Sequence, residues 1–248
     1  MPNKSLDGYY LVRILDNEKY LDDLINGINF RMNSVQVFRD KANKFQGDKN
    51  ECSIIVNGDT LKGKFAIGKE KPEKILCDAY MNEFRLNGYI YCFFAIPKEF
   101  FYLEKNELMM DDKSDYYNDF IKTLNSYYEN CNSKKCYIGI FDANKLVTHF
   151  KNCFVANNYK FGYDFVKYKK ISTTERFKYL FDKELYKIVF EKDESYSYQR
   201  EFRFFITNIH GVEYLDINNV LLKDALKIRF ELNPKGLQKL IRSNNNEV

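Results

Sequence analysis

The chain has 248 residues, 45% apolar and 30% charged, the balance of a globular protein with a core and not of a disordered one. Its 39 basic and 35 acidic residues leave a formal charge of +4, without the strong clustered excess of a dedicated nucleic-acid binder. No run approaches the ~20 apolar residues that span a bilayer, and Met1-Pro2-Asn3-Lys4-Ser5 lacks the apolar stretch of a secretory leader, so a cytoplasmic location and no membrane partner are expected.

Two compositional features stand out. There are 22 Phe and 20 Tyr but no Trp, and only 4 Pro in a chain rich in Lys and Asn, which suggests a low-GC bacterial or phage genome. Six cysteines, at 52, 77, 92, 131, 136 and 153, share the chain with only 2 His, so no zinc spacing or disulfide framework is read and no metal is assigned. Cys92, inside an apolar run, reads as a small buried hydrophobe.

In chain order, Tyr9 to Ile14 has strand composition, and Asp16 or Asn17 is placed to cap a helix whose Tyr20, Leu21, Leu24 and Ile25 recur at helical spacing. Gly27 suits the left-handed residue after that helix, and Ile28 to Met32 returns as a strand. After a polar loop over 40–50, the Asn57-Gly58-Asp59 turn predicts a hairpin between Ile54–Val56 and Leu61–Phe65, and 69–73 reads as a charged linker. Tyr89 to Ile96 is a buried strand ended by Pro97. A helix follows over Tyr116 to Tyr128, then a strand over Cys136 to Phe141, with Asp142 capping a helix that carries Leu146, Val147, Phe150 and Phe154. Tyr163 to Tyr168 reads as a strand, and Thr173 to Glu191 as one or two helices with Phe177, Leu180, Phe181 and Leu185 inward. Strands over Gln199 to Ile206, Val212 to Ile217 and Ala225 to Glu231 precede a last helix opened by Asn233-Pro234. Residues 1–248 therefore read as a single α+β domain with a curved mixed or antiparallel sheet and packed helices, a helical insertion near 98–132 and a frayed tail at 243–248.

The stretch Gln199-Arg200-Glu201-Phe202-Arg203-Phe204-Phe205-Ile206 is the most informative. As a strand it puts Phe202, Phe204 and Ile206 on one face and Gln199, Glu201 and Arg203 on the other. One face is core, and the opposite row is the best candidate for chemistry. The same row also suits simple ion pairing with neighbouring strands. A nuclease-like acidic cluster of Asp48, Glu51 and Glu201 lacks the lysine that such sites place after the second acid, and neither His149 nor His210 has a Ser or Cys partner in sequence. Gly58, Gly63 and Gly68 are turn glycines, not a phosphate loop. Aromatics interleaved with lysine, as in Phe161-Gly162-Tyr163 and Val166-Lys167-Tyr168, would suit base stacking, although most rings recur at core periods.

Several pieces of this order resemble a known pattern: Leu24-Ile25-Asn26-Gly27-Ile28-Asn29-Phe30, Tyr91-Cys92-Phe93, Tyr137-Ile138-Gly139-Ile140, Val166-Lys167-Tyr168 and Gln199-Arg200-Glu201-Phe202-Arg203, with a C-terminal strand before a helix. Together they resemble a large bacterial family of unknown function whose members are often encoded near phage-defence genes; the Trp-rich stretch common there is absent. The family implies a cytoplasmic α+β domain and supplies no catalytic residues. A second likeness is to the ADP-ribosyltransferase arrangement, an early-strand Arg with a late-strand Gln-x-Glu, here Arg13 and Gln199 with Glu201. Its middle Ser-Thr-Ser element is missing, Asn33-Ser34 being a poor substitute. That likeness implies NAD as substrate, Glu201 as the catalytic carboxylate, Gln199 orienting the acceptor, Arg13 on phosphate or ribose, and Arg203 pairing with Glu201. The expectation is a defence-associated or toxin-like effector that handles a nucleotide. The alternatives are a non-catalytic module that binds nucleic acid or a phage or host protein, and an antitoxin or immunity partner.

Overall fold

A strand with no charged side chain, Tyr89–Pro97, organises the sheet, and the rest of the molecule is arranged by what pairs with its two edges. The computed structural model describes residues 5–28, 30–40, 52–56, 82–104, 107–110, 114–130, 135–171, 175–176, 178–179, 182, 184–207, 209 and 211–232. The elements are β1 (Tyr9–Leu15), α1 (Glu18–Asn26), β2 (Phe30–Ser34), α2 (Val35–Asp40), β3 (Ser53–Val56), β4 (Asn82–Arg85), β5 (Tyr89–Pro97), β6 (Phe101–Glu104), β7 (Glu107–Met110) and α3 (Asp115–Asn130). Then come β8 (Cys136–Asp142), α4 (Ala143–Ala156), β9 (Phe161–Phe165), β10 (Lys167–Tyr168), β11 (Glu191–Lys192), β12 (Glu201–Ile206), β13 (Tyr214–Ile217) and β14 (Leu226–Leu232). The fold is α+β, as the sequence predicts, and its 8-stranded sheet pairs antiparallel throughout.

Several boundaries differ from the sequence reading. The 98–132 region is helical only in parts: after a 3-10 turn at Lys98–Phe100, β6 and β7 form a hairpin, and the α-helix begins at Asp115. The 185–190 segment is a 3-10 helix leading into β11, because Ile188, Val189 and Phe190 pack against the sheet and not along a helix face. β3 pairs with β4. The predicted 57–59 turn with its 61–65 strand, the 69–73 linker, the inward Phe177, Leu180 and Phe181, and the helix and tail after Asn233 lie outside the described residues.

β5 is apolar because both its faces are covered. On one side, Leu21, Leu24 and Ile25 of α1 and Leu146, Phe150 and Phe154 of α4 pack with Phe93, Phe141, Phe202, Phe204 and Ile206. On the other, Phe120 and Leu124 of α3 pack with Val12, Ile14, Phe94, Ile138 and Ile140, while Val35 and the 188–190 segment cover Ile90 and Phe205. Most of the aromatic wealth is spent here.

The pairing of β5 sets up the site. β12 follows one edge from Tyr89 to Phe94. β1 and β2 therefore share the other edge, β1 at Phe94–Pro97 and β2 at Tyr89 and Ile90. Between them, Tyr91, Cys92 and Phe93 have no strand partner on that edge among the described residues, so the sheet is forked at its centre.

The connection that makes the fork is short. Asn17 caps α1 by accepting from Lys19 N at 2.9 Å, and Gly27 ends it in the left-handed region at φ 70°. A Cβ at Gly27 would lie 2.9 Å from the Val220 carbonyl carbon. Gly27→Ala is therefore expected to lower stability by about 2 kcal/mol, from the left-handed backbone plus the overlap, read as a shift in urea midpoint at constant slope.

Candidate functional site

Arg13 occupies the fork. It lies on β1 opposite Gly139 of β8, one residue past the last β1 pair with β5. Its Nη1 donates to the Cys92 carbonyl at 2.6 Å, which satisfies an acceptor that no neighbouring strand reaches on that edge. Its guanidinium carbon sits 4.1 Å from the centre of the Tyr91 ring. Arg13 Nε is buried without a hydrogen-bond partner. Burial works against the charge, yet the surrounding Tyr91, Tyr127 and Cys92 groups outweigh it and hold the guanidinium above its ordinary pKa. Burial likewise pushes the Tyr91 and Tyr127 hydroxyls up, so both are neutral donors at physiological pH.

The second wall comes from the start of β12. Gln199 is not on the strand: it ends the 3-10 segment Glu194–Gln199, and Arg200 then takes a left-handed φ of 39° before the strand opens at Glu201. The Arg200 carbonyl accepts from Ala95 N at 2.8 Å, tying this corner to β5. The Arg200 side chain pairs with Asp119 and lies 3.8 Å from the Tyr116 ring centre, and Thr123 Oγ1 donates to the Tyr198 carbonyl at 3.3 Å. These contacts fasten α3 over the fork, so that Thr123 and Tyr127 close the cleft from above.

Glu201 is the most constrained group in the site. Lys192 Nζ donates to Glu201 Oε1 at 2.9 Å and to Gln199 Oε1 at 2.6 Å, and Arg203 Nε donates to Glu201 Oε2 at 2.6 Å. Arg203 also donates to the Val189 carbonyl, and Glu201 N donates to the Tyr168 hydroxyl at 2.8 Å. Side-chain exposure is 1% for both cations and 13% for Glu201. Burial alone would raise the carboxyl pKa; Arg203 and then Lys192 overcome it and bring it down to about 2. At neutral pH Glu201 is a fixed anion and no proton carrier.

Arg13, Gln199 and Glu201 thus line one cleft of about 90 Å³, together with Asn33 and Cys92. Arg203 stands behind Glu201 and does not line it. The row of Gln199, Glu201 and Arg203 is enclosed, since the 188–190 segment and β11 cover that face. Cys92, read as a small buried hydrophobe, is half-buried: it packs against the core cluster of Val35, Ile90 and Phe205 and also borders the cleft. Asn33 joins the cleft from β2, whereas Ser34 Oγ accepts from Val37 N at the start of α2.

Sequence reasoning missed Lys192. It sits in Glu191-Lys192-Asp193-Glu194, a charge run that reads as a solvated face, and only its placement on β11 turns it inward. Other candidates resolve simply. His149 pairs with Asp224 at 2.7 Å on the outside of α4. Asp48, Glu51 and His210 lie outside the described residues, among which no group of three acidic, Cys or His side chains could hold a metal. Phe161, Tyr163 and Phe165 pack against the core, away from the stacking role their lysine-rich neighbourhood suggests. No described helix is long and apolar enough to cross a membrane.

No protein-family model matches the chain, and neither the curated proteins nor the solved structures include a significant match to it.

Proposed function

We propose that the chain is a cytoplasmic nucleotide-handling effector whose forked cleft receives the ring end of its ligand, with NAD the preferred class. The observation that supports this is the convergence of Arg13 and Glu201, from the first and a late strand, on one cleft in which Arg13 Nε has no partner. Arg13 supplies a donor for a carbonyl, ribose or phosphate oxygen, and Glu201 a permanent acceptor for an amide or hydroxyl. A nicotinamide carboxamide carries both complements. The space, about 90 Å³, is well below the ~300–1,000 Å³ that enclose a whole drug-sized ligand, so a ring enters and the remainder stays outside. Because Lys192 and Arg203 already neutralise Glu201, binding is favoured over glycosidic-bond cleavage. The defence-associated or toxin-like setting follows from the family resemblance alone.

Thermal denaturation with NAD, nicotinamide and ADP-ribose tests the reading. NAD near 100 Kd is expected to raise Tm by about 5–10 °C, from ~2.7 kcal/mol of linkage at ~2–4 °C per kcal/mol for a chain of this size. ADP-ribose, which lacks the ring, should give no comparable rise, and Arg13→Gln should abolish the NAD effect. Equal shifts with ADP-ribose and NAD, or an undiminished shift in Arg13→Gln, would move the weight to a binding module of another kind.

A further inference from the structure

The described lining of the Arg13 cleft holds one basic and one acidic side chain, Arg13 and Glu201. Their charges are not equally open to a ligand. Both oxygens of Glu201 are engaged, Oε1 by Lys192 at 2.9 Å and Oε2 by Arg203 at 2.6 Å, and both cations are 1% exposed. The carboxylate can still accept a hydrogen bond, but its charge is balanced from behind.

Arg13 is the reverse. It forms no ion pair among the described residues: its contacts are the Cys92 carbonyl at 2.6 Å and the Tyr91 ring at 4.1 Å, and neither is a carboxylate. Its Nε is buried without a hydrogen-bond partner. Two neighbouring carboxylates bring no balancing charge. Asp119, on the helix that closes the cleft, pairs with Arg200, and Glu191, beside Lys192, lies between Lys169 and Arg176. The open charge in the fork is therefore positive.

The two redox forms of a nicotinamide ring differ in this respect. The oxidised ring is a cation and the reduced ring is neutral, while both carry the same carboxamide and offer Arg13 and Glu201 the same hydrogen bonds. An aromatic face can offset a cation, yet the Tyr91 face is taken by the Arg13 guanidinium. A like charge about 10 Å away in a partly buried site, at an effective dielectric constant of about 20, weakens binding by roughly tenfold.

We propose that the unbalanced charge of Arg13 makes the cleft select the reduced, uncharged form of a nicotinamide dinucleotide over the oxidised form, an inference that rests on the nicotinamide reading of the same cleft. Arg13 is then a specificity-determining residue: it donates to either form and opposes the charge of one.

The test is calorimetric titration of the full chain with NADH, NAD and ADP-ribose. NADH is expected to bind at least about tenfold more tightly than NAD, with ADP-ribose weaker than both. Two variants change the charge at the cleft in opposite directions. Glu201→Gln keeps an acceptor and removes the negative charge, and should widen the ratio of the two dissociation constants by at least about threefold. Lys192→Met removes a positive charge and should narrow the ratio by as much. A purely structural effect of either substitution would weaken both ligands alike and leave the ratio in place. If Lys192→Met does not fold, Glu201→Gln decides. Equal affinity for NADH and NAD, both tighter than ADP-ribose, would overturn the inference and leave the nicotinamide reading standing, as would a ratio that the variants do not move. Binding of neither dinucleotide at millimolar concentration, or of both only as tightly as ADP-ribose, would overturn the two together.

Discussion

Glu201→Ala is expected to cost about 3–5 kcal/mol of stability, the penalty for leaving buried cations without their counter-charge. Lys192 and Arg203 are each 1% exposed and both donate to this carboxylate, at 2.9 and 2.6 Å. Removing it leaves two desolvated cations facing each other across an emptied volume. The same pairing predicts an acid dependence with a definite sign. The carboxyl pKa is about 2 in the fold against 4.5 ordinarily, so its contribution is fully present above pH 4.5 and is lost as pH falls from 4.5 through about 2. At ~1.36 kcal/mol per unit that contribution is about 3 kcal/mol. Urea titrations of wild type and Glu201→Gln at steps between pH 6 and 2 check it: wild type should lose this amount across the window while the variant does not. Parallel pH curves for the two proteins would show that the pair is not the acid-sensitive element.

Phe204→Ala is expected to cost about 3–5 kcal/mol as well, through a cavity and not a charge. The Phe204 ring stacks on Phe150 with centroids 4.4 Å apart and has Phe202, Tyr163, Phe93 and Phe154 within 6.1 Å. It belongs to four elements' packing at once: β12, β9, β5 and α4. Its truncation leaves rings from different elements with no common neighbour, and they close the gap only by moving backbone. A urea midpoint shift at unchanged slope would report the cavity; a shift under about 1 kcal/mol would mean that the ring cluster repacks freely.

Much of this was legible in the residues. The period-two alternation of Phe202, Phe204 and Ile206 placed β12's core face correctly, and the unbroken apolar run of β5 signalled a strand covered on both sides. Asp142 and Gly27 marked a helix start and a helix end. The site was half legible. Arg13, Gln199 and Glu201 do reach one cleft, but alternation misassigned Gln199, because the left-handed Arg200 breaks the strand before it. Lys192 carried no signal, since nothing local distinguishes a lysine in an acidic run from one that a distant strand turns inward. The fork in β5 was also invisible: it arises from two strands sharing one edge, a property of pairing that no periodicity encodes.

The most direct measurement is an NMR spectrum of the arginine Nε–Hε groups of the ¹⁵N-labelled protein during titration with NAD, with the Arg13 resonance assigned by its loss in Arg13→Gln. Arg13 Nε is buried, unpartnered and in the cleft wall, so a ligand ring seated in the fork must change its surroundings. This resonance is expected to move saturably while that of Arg229, on the outside of β14 and paired with Glu18 and Asp22, stays in place. An Arg13 resonance that does not move as NAD is raised to millimolar concentration would contradict it.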